Sequence, residues 1–279
     1  TRKALAPSFS TTNLQQTWPY LQDGLVEEFA HLRKLAASGE LLDCRHNILM
    51  FFLRMLGKSA FGIEFTDDGT ENEGNIDGLD YLAVQHTAGS VRMKEMSMPY
   101  KKYFFWDKNV QAGRHACIRV KEIAEKMTRL YREHEAQRDA SGEAKPKRQS
   151  LMQHMMEHAY PSEIARLSDV NVMTFAGHDT TGFSFCFFLM EMARHPEILA
   201  RVQAEIATVM PKEPLRGTGD TGDKTPASAA ESVQQALRHG DQKLLSALCG
   251  LEFLNCCIKE SMRLWPVASI GSVRQLDRD

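Results

Sequence analysis

The sequence predicts a mainly α-helical protein with one long central helix and little β structure. Three observations carry that prediction. Apolar residues recur at spacings of three and four over most of the chain; clusters of glycine, proline and polar residues cut these stretches into helix-sized lengths; and Val170 to Met190 is apolar on nearly every side apart from a short polar island. With 279 residues, 43% hydrophobic and 25% charged, the chain can bury a substantial core. A net charge of -2 gives no reason to expect nucleic acid as a partner, and no dense basic run marks an anionic membrane surface. No apolar stretch approaches the roughly 18 residues that span a bilayer, and the first residues lack the shape of a secretory signal, so the sequence as given is expected to be soluble. Six cysteines, with no close metal-binding pattern apart from the adjacent Cys256 and Cys257, fit the reduced thiols of an intracellular protein.

The elements follow in order. The chain opens on Thr1-Arg2-Lys3-Ala4-Leu5-Ala6-Pro7, where Arg2 taken alone reads as a solvated terminal residue. Residues 14 to 37 place Leu14, Trp18, Leu21, Leu25 and Phe29 at helical spacings, and residues 43 to 61 form a second helix, crowded with Met and Phe and assigned to packing. Residues 66 to 78 are acidic and glycine-rich and predict a mobile loop. Residues 79 to 134 predict two or three helices with a break near Pro99, the longer running from Asn109 to His134. Met93, Met96, Met98 and Phe104-Phe105 there would suit the lining of an apolar pocket. The polar run 135 to 149 reads as a solvated linker. Pro196 opens a short amphipathic helix to Val209, residues 211 to 228 have the composition of a disordered insertion, and a further helix is predicted from Leu244 to Leu264. Ala268 to Gln275 is expected to be extended, because Pro266 and Gly271 discourage helix.

The polar island is Phe175-Ala176-Gly177-His178-Asp179-Thr180-Thr181-Gly182. Its apolar flanks predict a helix through the interior with little exposed face. Each glycine inside a helix costs about 1 kcal/mol relative to alanine, and a buried carboxylate costs more unless it is paired. A segment that breaks several local rules while its flanks obey them is where a functional site is expected. Ala176 and Thr180 lie four apart and share a face, so a flat ligand could approach the backbone there. Asp179 sets an acid beside the Thr180 alcohol, a pair able to hold a water and relay protons. The plainer alternative is a kinked core helix whose threonines bond back to the preceding turn.

A second pattern is His154-Met155-Met156-Glu157-His158, which has the His-x-x-Glu-His form of an inverted zinc-peptidase motif. On a helix both histidines would share a face, with Glu157 as base, and a zinc hydrolase is one alternative function. Pro161 ends any such helix and no acidic ligand set follows, so an exposed helix end is the plainer reading.

Ala176-Gly177-His178-Asp179-Thr180-Thr181 in mid-helix resembles the oxygen-activation motif of the cytochrome P450 haem-thiolate monooxygenases. Glu260-Ser261-Met262-Arg263, followed by Leu264-Trp265-Pro266, is similar to the family's Glu-x-x-Arg helix and its exit, and His195-Pro196-Glu197 opens a helix between the two motifs, as expected. By this resemblance residues 1–279 form one partial domain of that fold. It implies a reaction that inserts one oxygen atom of O2 into an apolar organic substrate, with haem as cofactor and electrons from NADPH through a reductase partner. Asp179 and Thr180 are then the proton-delivering pair, while Ala176 and Gly177 make room beside the haem. Arg2 and Arg274 anchor its propionates. Glu260 and Arg263 are a buried structural pair, and Phe175, Val267, Ala268, Ser269 and Ile270 line the substrate pocket. The family's cysteine ligand sits in a Phe-x-x-Gly-x-x-x-Cys-x-Gly signature that this sequence does not contain, so the chain as given is expected to be an inactive internal fragment. Full-length relatives of this kind imply association with the endoplasmic reticulum membrane through a segment outside this sequence. A helical protein without catalysis, having lost the haem loop, is the other alternative.

Overall fold

A computed structural model of the chain describes residues 5–10, 13–14, 17–142, 150–209 and 242–268. Arg2, Ser269, Ile270, Arg274 and the insertion at 211–228 lie outside the described residues. The architecture is mainly helical: α1 (Trp18–Ser38), α2 (Cys44–Leu56), α3 (Gly78–Ser97), α4 (Lys108–Ser141), α5 (Leu151–Glu157), α6 (Glu163–Arg194), α7 (Pro196–Val209), α8 (Gln242–Cys249) and α9 (Glu252–Leu264). The strands among the described residues are two short ones, β1 (Phe65–Thr66) and β2 (Ile76–Asp77), paired in parallel with Phe65 opposite Ile76. The chain divides into two compact units, the first Thr1–Leu42 with Leu49–Asp179, the second Asp43–Ile48 with Thr180–Asp279.

In the first unit, α2 runs into a π turn at Gly57–Phe61, and Leu53, Phe61, Ile63, Phe65, Ile76, Tyr81, Met127, Met152 and Val170 form one fully buried cluster. Asp77 and Asp107 cap α3 and α4 by accepting from the backbone N–H groups of Leu79 and Asn109, which fixes where each helix starts. Between the two helices stands the predicted break, a short 3-10 turn at Pro99–Tyr103. The acidic 66–78 segment was expected to be mobile, yet ionic contacts tie it down: Glu71 pairs with Arg119 and, at 2.8 Å, with Lys126, whose ammonium also donates to the Asn72 carbonyl oxygen at 2.7 Å. The sequence hides this because both cations lie about fifty residues downstream.

The buried face of α1 also differs from its apolar pattern. Trp18, Gln22, Gly24 and Glu28 are buried, whereas Leu14 and Phe29 are exposed. Glu28 is tolerated inside because the Arg54 guanidinium lies 3.4 Å away; burial raises its carboxyl above the usual range and Arg54 opposes that shift.

In the second unit, α7 packs against α8 and α9. The single helix expected from Leu244 to Leu264 is two, separated at Gly250-Leu251. Glu205 of α7 supplies the reason: its carboxylate accepts from the backbone N–H groups of Phe253 and Leu254, both at 2.8 Å, and so caps a new N-terminus. Arg201 stacks its guanidinium 4.0 Å from the centre of the Phe253 ring. At the far end of α9, Trp265 stacks on Phe187 at 5.4 Å and its indole N–H donates to Glu191 at 3.0 Å.

α3 packs along α4, and Gly113 is one place where they meet: a Cβ there would lie 2.5 Å from a Val91 methyl. Gly113→Ala is therefore expected to destabilise the protein by about 1–3 kcal/mol despite alanine's better helix propensity. Adding Val91→Ala is expected to restore much of the loss, as read from thermal unfolding by circular dichroism.

Candidate functional site

The site is built on α6, which stays α-helical from Glu163 to Arg194 through both island glycines. Two faces with opposite surroundings run along it. On one, Val170, Thr174 and His178 repeat every fourth residue and are at most 1% exposed. On the other, Val172 is 55% and Phe175 40% exposed, and Ala176 and Thr180 are exposed as well. The expectation of a helix with little exposed face is therefore corrected. The exposed stripe carries apolar carbon, one methyl side chain and one hydroxyl, and Asp179, half-buried and four residues on from Phe175, falls within it. A flat, largely apolar body can lie on Val172, Phe175 and Ala176, where Ala176 keeps the backbone approachable, and it meets the Asp179 carboxyl beside them.

The buried face is a hydrogen-bonded ladder. Thr174 Oγ1 donates to the Val170 carbonyl oxygen at 2.7 Å, and His178 Nδ1, 2.7 Å from the Thr174 carbonyl oxygen, must carry the proton, since a carbonyl only accepts. Beside it lies the fully buried Tyr81, its ring centre 5.7 Å from that of His178. The Tyr81 hydroxyl accepts from Gln85 Nε2 at 2.9 Å, and Gln85 also donates to Asn171 Oδ1. Burial lowers the pKa of His178 and raises that of Tyr81, and the negative charge of Asp179 pushes both upward. His178 is thus a neutral imidazole built into the core.

Gly177 has a packing reason of its own: a Cβ there would come within 2.7 Å of Leu56 Cδ2, so the glycine lets α6 approach the end of α2. Phe175 lines a cavity of 430 Å³ bounded by α3, α4 and the first half of α6, with Val120, Leu167 and Val172 among its apolar walls and Gln85, Asn171, Arg92 and Lys121 among its polar and charged ones. Met93, Met98, Phe104 and Phe105 are exposed and do not line it. Val267 is half-buried and Ala268 exposed, both just beyond the Trp265 contact of the second unit. Sequence reasoning missed Tyr81, Gln85 and Asn171. The four-residue spacing of Tyr81 and Gln85 was their only local signal.

Glu260 and Arg263 form a two-pronged pair, with N–O distances of 2.7 and 2.8 Å, and the guanidinium holds the Glu260 carboxyl below the usual range. The pair was expected to be buried, but both side chains are exposed, because it lies on the outer face of α9 while Ser261 turns inward. The zinc reading fails on geometry. α5 ends at Glu157, His158 turns to extended backbone against Tyr160, and His154 Nδ1 is engaged with Ser8 Oγ at 2.9 Å and the Ser150 carbonyl oxygen at 3.0 Å. Among the described residues no three His, Cys, Asp or Glu side chains cluster as metal ligands would.

A family model described as cytochrome P450 matches residues 1–216. The chain is similar to a cytochrome P450 monooxygenase, mpsF, of Macrophomina phaseolina, 30% identical over all of this chain and 59% of that protein. It is also similar to human cytochrome P450 3A7, 21% identical over 96% of this chain and 48% of that protein. The chain thus spans about half the length of the curated relatives it matches. A crystal structure of a cytochrome P450 (CYP102L1) superposes with a TM-score of 0.64 at 17% identity, covering 95% of this chain and 52% of that one.

Burial of neutral His178 makes stability depend on pH. Its folded pKa lies below the ordinary value of about 6.5, so only the unfolded chain gains a proton as pH first falls past 6.5, and stability is lost in that window. The melting midpoint is expected to drop between pH 7.5 and 5.5, and to drop less in His178→Gln, as followed by thermal melts across that range.

Proposed function

The chain belongs to the cytochrome P450 family, and from that premise we propose that it is the central part of a haem-dependent monooxygenase that inserts one atom of O2 into an apolar organic substrate. The single observation that carries this reading is the exposed stripe of Val172, Phe175, Ala176 and Thr180 on a helix whose opposite face is fully buried. Bound haem supplies the iron at which dioxygen is reduced and an oxygen atom transferred. The protein's residues do the rest. Ala176 and Phe175 would offer apolar surface to the haem and substrate. Thr180 Oγ1 would donate a proton into the covered site, and the Asp179 carboxyl beside it would replace that proton. His178 stays neutral in the core, so within this turn of α6 the charge next to Thr180 is that of Asp179. Arg2 and Arg274 are the proposed propionate partners, a role that suits guanidinium groups. Glu260 and Arg263 hold each other across one turn of α9, and Val267, Ala268, Ser269 and Ile270 are proposed to complete the substrate pocket with Phe175. Electrons come from NADPH through a reductase.

No helix among the described residues is long and apolar enough to cross a membrane. Contact with the endoplasmic reticulum membrane nonetheless has support from the loop between α3 and α4. Phe105 is 64% and Trp106 62% exposed, Tyr100 and Tyr103 are exposed, and lysines flank them in the sequence, a composition suited to the lipid headgroup layer.

Two outcomes are expected in the complete, haem-loaded enzyme. Thr180→Ala should divert electrons from product to hydrogen peroxide while leaving substrate-induced spectral shifts in place, and Asp179→Asn should slow turnover by about 10²-fold; coupling unchanged in both would remove the relay. A Phe105→Ser, Trp106→Ser pair should weaken co-sedimentation with phospholipid vesicles by about tenfold without altering the melting midpoint.

A further inference from the structure

Two cysteines outside the site lie together. Cys44 is the first residue of α2, and Cys186 stands in α6, 142 residues later in the chain. The Cys186 thiol donates to the Cys44 carbonyl oxygen at 3.4 Å, which sets that sulfur against the Cys44 residue. Both belong to the second unit and both are partly accessible. Cys186 Sγ thus lies against the Cys44 residue itself, and a disulfide there requires the two Cβ atoms to come within about 3.5–4.5 Å of each other. No other pair offers this. Cys256 and Cys257 are consecutive on α9, so their side chains diverge, Cys249 is exposed on α8, and Cys117 belongs to the first unit.

We propose that Cys44 and Cys186 form a reversible disulfide, driven by hydrogen peroxide, that ties the start of α2 to α6. The Cys44 sulfur attacks one peroxide oxygen; the O–O bond breaks, leaving a sulfenic acid on Cys44 and releasing the first water. The Cys186 sulfur then attacks the Cys44 sulfur, the S–O bond breaks, and the hydroxyl leaves as the second water with the Cys186 proton. Two thiols and one peroxide become one disulfide and two waters, and the electron pair passes from sulfur to oxygen. The roles follow from surroundings. Burial first, then Cys44 and the negative charge of Asp43, push the Cys186 thiol up to about 12, so it rests protonated and is not the sulfur that meets peroxide first; it attacks the Cys44 sulfenic acid as its proton passes to the departing hydroxyl. Thiols restore the pair by exchange.

The test treats the purified protein with hydrogen peroxide and digests it without reduction. The expected result is a Cys44–Cys186 linked peptide, absent before treatment and lost on adding dithiothreitol, with a rise in melting midpoint of about 5–10 °C. Cys186→Ser should lose the linked peptide and accumulate Cys44 sulfinic acid. The proposal is overturned if both cysteines of the treated natural protein remain open to alkylation, or if the linkage maps to Cys256 or Cys257.

Discussion

The structure depends on one constraint: a single long helix must bury one face completely while leaving the opposite face open. Each residue of α6 turns through about 100° relative to the last, so neighbours in sequence meet different surroundings. Val170, Thr174 and His178 are sealed in the core, and the Thr174 hydroxyl and the His178 Nδ1–H donate to the carbonyl oxygens one turn earlier. An unsatisfied imidazole or hydroxyl there would cost about 1–3 kcal/mol. The ladder allows polar residues into the core side of α6, and that permits a polar island to exist at all.

The packing of the first unit serves the same helix. Gly177 lets α6 approach Leu56, and Tyr81, held by Gln85, fills the space beside His178. The Gln85 amide also reaches Asn171, one face over on α6, so α3 is tied to that helix by polar as well as apolar contacts. α3 is in turn packed against α4, where Arg119 pairs with Asp80 at 2.7 Å and with Glu71. Such partly exposed pairs are worth little singly; their use here is to hold the 66–78 segment against α4.

Much of this was legible in the sequence, and what was not has a common cause. Helix positions followed from periodicity: α1, α2, α3, α6 and α7 fall where the spacing of apolar residues put them. The errors came from long-range partners, apart from α4, which runs on to Ser141 through the start of the 135–149 stretch expected to be a linker. Glu205 splits the expected 244–264 helix from another element, Glu71 is clasped from fifty residues away, and Arg54 admits Glu28 to a buried position that an apolar pattern would have given to Phe29. The stretch from Ala176 to Thr180 was visible as a rule-breaking island, but which of its residues face the core was not. A single-sequence reading assigns a segment its character as a whole, whereas burial is decided residue by residue by what packs against each side.

That distinction changes how the island itself is understood. Its residues serve two masters. Gly177 and His178 belong to the core: one is small because Leu56 is there, the other neutral because no water reaches it. Ala176 and Thr180 belong to the open face, and Asp179 stands between the two environments, close enough for its charge to act on both Tyr81 and His178. A substitution at 177 or 178 therefore acts first on stability, and one at 176 or 180 first on whatever covers the stripe. Asp179 alone answers to both. Protonating it removes a charge that Tyr81 and His178 experience from within the core, so the ionisation of Asp179 is felt electrostatically inside the fold.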